Sequence, residues 1–104
     1  MNIRQVRSEN QYNKLVKSRR DRDATLILFT SSYDRWGQDI IDFAKKQGEG
    51  VLHVVDSFET PHAFTSKESI KVTNVPTLVS LTKKARTIET RVSSIYSMLG
   101  DSSS

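Results

Sequence analysis

The apolar positions of this chain follow two rhythms. Ala24 to Phe29 and Val51 to Val55 are nearly unbroken runs, as expected of strands covered on both faces. Leu78 to Leu81 and Thr87 to Val92 predict two more strands, joined by the basic turn Lys83-Lys84-Ala85-Arg86, and Ile3 to Val6 suggests a short first strand. Between them the spacing becomes helical. Ser8 caps a segment with Tyr12, Leu15 and Val16 on one face. Trp36, Ile40, Ile41, Phe43, Ala44 and Gln47 trace a second helical face, which Gly48 and Gly50 close. Thr60-Pro61 has the form of an N-cap followed by a first-turn proline, opening a short helix through Phe64 toward Ile70. Ser94 to Leu99 completes the chain with a brief helix.

The predicted order is therefore βαβαβαββα. Strands that alternate with helices pair in parallel, and the closing hairpin adds antiparallel strands at one edge. The fold class is α/β, a central mixed β-sheet flanked by helices. At 104 residues the chain holds one domain with one core, assigned to residues 1–99, with 100–104 as a disordered tail. A content of 36% hydrophobic and 27% charged residues fits a globular protein.

Residues 2–22 are polar and basic, and Leu26-Ile27-Leu28-Phe29 is far too short to cross a bilayer. A cytoplasmic protein with no membrane partner is the expectation. The net charge of +4 is unevenly spread. Residues 1–22 hold seven bases (Arg4, Arg7, Lys14, Lys17, Arg19, Arg20, Arg22) against two acids, and residues 83–91 hold four against Glu89. Residues 23–82 carry a net −3. The basic segments, represented by Lys14, Lys17, Arg19, Arg20, Lys83, Lys84 and Arg86, are candidate contacts for nucleic acid or an acidic partner, against the simpler reading of a solubilising surface.

Most site chemistry is excluded. With no cysteine there is no disulfide, no thiolate metal site and no thiol nucleophile. His53 lies inside an apolar strand and His62 in a predicted helix, and neither has ligand-spaced acidic partners, so no metal is expected. No serine sits in a Gly-x-Ser-x-Gly turn and the four glycines form no phosphate loop, which leaves no enzyme or cofactor signature.

The element order, with Val75-Pro76-Thr77-Leu78 opening the hairpin strand, resembles thioredoxin over about residues 2–99. The resemblance implies a cis peptide bond at Val75–Pro76. Counted from Phe29, Tyr33 takes the position of the family's active-site tryptophan, and Asp34-Arg35-Trp36-Gly37 that of its four-residue redox motif. Both cysteines of that motif are thus replaced, by Asp34 and Gly37, and the family's buried aspartate is matched by Leu28. The resemblance implies a redox-inactive member that binds another protein through the groove formed by Tyr33, Asp34, Arg35, Trp36, Thr73, Asn74, Val75 and Pro76. Such relatives serve as adaptors, accessory subunits or chaperone-like factors. A nucleic-acid accessory factor is the alternative, and a residual glutathione-type or peptide ligand site the third reading.

The residues themselves leave several roles open. Asp34 is most simply an N-cap, placed where the helix dipole favours negative charge, although Ser31 with Asp34 offers a capping box instead. Trp36 has the spacing of a core residue, yet Trp, Tyr and Arg are the types that dominate binding hot spots. Gly37 costs roughly 1 kcal/mol against alanine in a helix. It either admits a close approach or is a relic of lost chemistry.

Overall fold

A computed structural model describes residues 1–18, 24–48, 50–57, 72 and 74–100. The described elements are β1 (Asn2–Val6), α1 (Glu9–Lys17), β2 (Thr25–Thr30), α2 (Arg35–Lys45), β3 (Val51–Asp56), β4 (Thr77–Leu81), β5 (Arg86–Glu89) and α3 (Val92–Gly100). The helix expected from Thr60 toward Ile70 lies outside the described residues, as do Asp101 to Ser104 of the expected tail.

The strands form one mixed sheet in the order β1-β3-β2-β4-β5. β3 pairs in parallel with both β1 and β2, whereas β4 runs antiparallel to β2 and to β5. β2 is central, and its apolar run serves both faces. Ile27 and Phe29 join Val6, Tyr12, Val16, Val55, Val79 and Leu81 under α1. Leu28 joins Ile40, Ile41, Ala44, Leu52, Val54, Leu78, Ile95 and Leu99 under α2 and α3. Alternating residues of one strand thus complete two cores, which is why Leu26 to Phe29 contains no polar break.

Ser8 Oγ accepts the Gln11 N–H at 3.1 Å and starts α1 as its sequence predicts. Three boundaries differ from expectation at the C-terminal end. The strand expected to run to Val92 stops at Glu89, because the Glu89 carboxylate accepts the N–H groups of Thr90 and Arg91 at 3.1 and 3.0 Å and turns the chain. The last helix accordingly opens at Val92 and not Ser94. Gly100, assigned to the tail, instead ends this helix. It packs on the ring of Phe43, where a Cβ would meet Cζ at 2.5 Å.

Among the described residues no helix is long and apolar enough to cross a membrane.

Candidate functional site

The candidate segments leave the sheet from one end. β2 delivers Ser31 to Trp36 from its C-terminus, and β4 receives Asn74 to Pro76 at its N-terminus. Phe29 faces Thr77 across these strands, so the same register carried one step further sets Thr30 against Pro76. β3 ends here too, with Thr30 beside Asp56 and the Ser57 N–H donating to the Thr30 carbonyl at 3.0 Å. The Val75–Pro76 peptide is cis. Thr77, almost wholly buried, donates its hydroxyl to the Asn74 carbonyl at 2.7 Å and so ties down the turn that presents Val75.

The first turn of α2 is closed off chemically. Of the two caps the sequence allows, the structure uses Asp34: its Oδ1 accepts the Trp36 N–H at 3.1 Å, while Oδ2 accepts the Thr30 hydroxyl at 3.2 Å. The Thr30–Asp34 bond crosses directly over Gly37. A Cβ at that position would overlap Thr30 Oγ1 and stand 3.0 Å from both Thr30 Cβ and Asp34 Oδ2. The close approach that Gly37 admits is therefore internal. Asp34 and Gly37 are parts of one packed cap with Thr30.

Around this cap the large side chains point out. Tyr33 is 85% exposed, Trp36 59% and Val75 38%, and Arg35 is exposed beside them. Trp36 lies on the surface because the buried stripe of α2 is Gly37, Ile40, Ile41 and Ala44. At about 100° per residue, Trp36 sits roughly a quarter-turn from its centre. Phe43 occupies the same flank but is covered by Tyr96, whose ring lies edge-on at 4.9 Å. Asn74 is exposed and Pro76 buried. Thr73 lies outside the described residues.

Two contributors escape sequence reasoning. Thr30 holds Asp34 from below, and Asp56 accepts the Ser32 hydroxyl at 2.9 Å, bracing the loop before Tyr33. The second pair spans 24 positions, so only the strand pairing brings it together.

The basic residues gather at the opposite end. Lys14 and Lys17 occupy the last turn of α1. Lys83 and Lys84 form the turn between β4 and β5, beside the Leu81–Thr25 pair that begins β2. These four and Arg86 are exposed. Arg19 and Arg20 lie outside the described residues. Here an open cleft of about 770 Å³ is lined by Arg4, Leu15, Ser18, Thr25, Val51 and His53, among others. Burial lowers the His53 pKa from its ordinary value, and the Arg4 guanidinium, paired with it across β1 and β3, lowers it further. The described residues contain no group of three or more His, Asp or Glu side chains able to hold a metal.

This geometry is that of the thioredoxin fold. The chain is similar in structure to the reduced thioredoxin pre-protein of Schistosoma mansoni, with a TM-score of 0.73, 8% identity, and coverage of 95% of this chain and 96% of that one. Thioredoxin O1 of Arabidopsis thaliana in the oxidised state gives 0.68 at 19% identity, covering 94% and 95%. Thioredoxin O2 of the same plant gives 0.66 at 23%, covering 92% and 90%. No family model matches the sequence, and comparison with curated proteins finds no match. At these identities the likeness establishes the fold, and within that fold this chain carries no cysteine. Thiol–disulfide exchange requires a thiolate to attack a disulfide, and no residue here can form the mixed intermediate.

Proposed function

We propose that this protein is a redox-inactive interaction module that docks a partner protein in the groove between the start of α2 and the Pro76 turn. The observation that carries this reading is the placement of exposed apolar side chains. Among the described residues, four large hydrophobic side chains are exposed, and three of them, Tyr33, Trp36 and Val75, belong to segments that leave the sheet at one end. Apolar surface concentrated in this way marks an interaction site, whereas scattered exposure does not. Arg35 adds a charged donor between the two aromatics, and the backbone at Val75 offers hydrogen-bonding groups to an extended peptide. A cytoplasmic partner suits a chain without cysteine.

The test is affinity capture from the native cell, followed by affinity measurement on the purified partner. Arg35→Ala and Tyr33→Ala should each weaken binding about thirty-fold or more, as loss of a hot-spot anchor does, while melting as wild type. Folded variants that bind the partner as tightly as wild type would remove the groove from consideration.

A further inference from the structure

The fourth exposed hydrophobic residue, Ile88, stands apart from the groove, on the outer strand of the sheet. The hydrogen-bond phase of β5 can be worked out from its hairpin. The Thr82 N–H donates to the Ala85 carbonyl at 2.9 Å, so Thr82 and Ala85 form a hydrogen-bonded pair. Such pairs alternate along an antiparallel ladder. Ser80–Thr87 and Leu78–Glu89 are therefore hydrogen-bonded pairs, and Leu81–Arg86 and Val79–Ile88 are not. The backbone groups of Val79 and Leu81 point instead toward β2, in agreement with their pairing to Ile27 and Thr25. Those of Arg86 and Ile88 point outward, away from the sheet. Two N–H and two C=O groups are thereby presented on an edge against which no described strand pairs. Beyond it the edge closes, since Glu89 itself takes the Thr90 and Arg91 N–H groups.

Side chains set the specificity of such an edge. Arg86 and Ile88 lie two apart and hence on the same face of the sheet, and both are exposed. Lys83, Lys84 and Arg91 are exposed around them, and residues 83–91 carry a net charge of +3. We propose that the outer edge of β5 is a docking strand for an extended peptide bearing an acidic residue and, two positions away on the same face, an apolar one. The peptide adds a sixth strand, making up to four ladder bonds with Arg86 and Ile88, setting its carboxylate against Arg86 and its apolar side chain against Ile88. A second copy of this chain is a poor occupant. Strand-to-strand pairing of two β5 edges would bring two +3 segments together, and like charges across a ladder are destabilising. The site is independent of the groove.

The experiment uses the full chain and two eight-residue peptides, one carrying Glu and Val two apart among threonines, the other with Lys in place of Glu. At saturation the Glu peptide should slow amide hydrogen exchange at Arg86 and Ile88 at least about tenfold, leaving Thr87 and Glu89, already bonded to β4, unchanged. The Lys peptide should bind at least about tenfold more weakly. Ile88→Pro removes only an outward N–H, a substitution edge strands tolerate, and should weaken the Glu peptide about three- to tenfold. Tyr33→Ala should not change it, which separates this site from the groove. If Ile88→Pro fails to fold, the exchange pattern of the wild type decides. Unchanged exchange at saturation overturns the proposal. So does protection that grows with protein concentration alone, which assigns the edge to a second copy. A single-stranded oligonucleotide that binds as tightly without slowing either amide would assign the basic surface to nucleic acid.

Discussion

The two ends of β2 carry opposite solutions to the same local problem. At the C-terminal end a helix starts, and its unpaired N–H groups are answered from within by Asp34, while Thr30 and Gly37 leave no room around that carboxylate. The polar groups of the cap are consumed internally, and the side chains that reach solvent around it are Tyr33, Trp36 and Val75, with Arg35 beside them. At the N-terminal end the side chains that surround the strand are Lys14, Lys17, Lys83 and Lys84, with Arg4 and His53 facing an open cleft. The four lysines are exposed. In redox-active chemistry a thiolate at a helix start draws its reactivity from the dipole and the free N–H groups. With a carboxylate in that place, the same field contributes to stability alone. The end that exposes Tyr33 and Trp36 is thus the more structural of the two in its polar interactions.

The strongest way to break this contrast is Gly37→Ala. The added methyl group collides with Thr30, itself buried, so the cost should be about 1–3 kcal/mol, a fall in melting temperature of roughly 5–15 °C for a domain of this size. Thr30→Ala in the same chain should recover more than half of that loss, because the hydroxyl is the nearest obstacle. Additive losses in the double variant, read by urea unfolding, would show that Gly37 is kept for another reason. The same collision means that introducing two thiols by Asp34→Cys with Gly37→Cys should yield a poorly folded protein unless Thr30 is also made smaller.

Asp34→Ala should cost less, about 1–2 kcal/mol, through the lost cap and the buried Thr30 hydroxyl left with only a long contact to the Ser31 carbonyl. Asp34→Asn should stay within a few tenths of a kcal/mol of wild type, since asparagine caps as well as aspartate. Thermal unfolding of the pair separates the cap from the second acceptor oxygen. A large loss in Asp34→Asn would mean that the negative charge, or the oxygen that accepts the Thr30 hydroxyl, matters at this end.

How far these features are legible in the sequence differs between backbone and surface. The strands of the sheet core are written in continuous apolar runs, and Ser8 and Asp34 stand where caps belong. The limit of β5 is not readable, because Thr87 to Val92 keeps its alternation past the point where the Glu89 carboxylate intercepts the next two N–H groups. Trp36 is ambiguous for a geometric reason: positions 36, 40 and 43 share a face by spacing, but the stripe that is buried is centred on Gly37 and Ile40. Of the partners that brace this end, Asp56 against Ser32 depends on strand order, and Thr30 under Asp34, four positions away, depends on how the chain turns out of β2. No local pattern announces them. Gly37 shows the same limit, since its neighbour Thr30 lies seven positions back on another element.

The smallest expected effect lies at the basic end and concerns pH. His53 is half-buried on β3, with Arg4 opposite on β1 and Ile27 opposite on β2, and both burial and the guanidinium oppose its protonation. Its pKa in the folded protein is therefore below the ordinary value of 6.5. The unfolded chain binds a proton there more readily, so this residue leaves stability intact above about pH 6.5 and reduces it as pH falls from there through the folded value. Melting temperature should decline as pH falls from about 6.5 toward 5, a window above the ordinary titration of carboxylates. The informative quantity is the difference between wild type and His53→Gln. The variant should lose part of the slope while keeping its stability near neutral pH. Arg4→Gln should flatten the slope less than His53→Gln, because burial is the larger cause and remains when the guanidinium is gone. Identical pH slopes for wild type and His53→Gln would mean that the cleft leaves His53 as free to protonate as it is in the unfolded chain, and the contrast between the two ends would lose its electrostatic half.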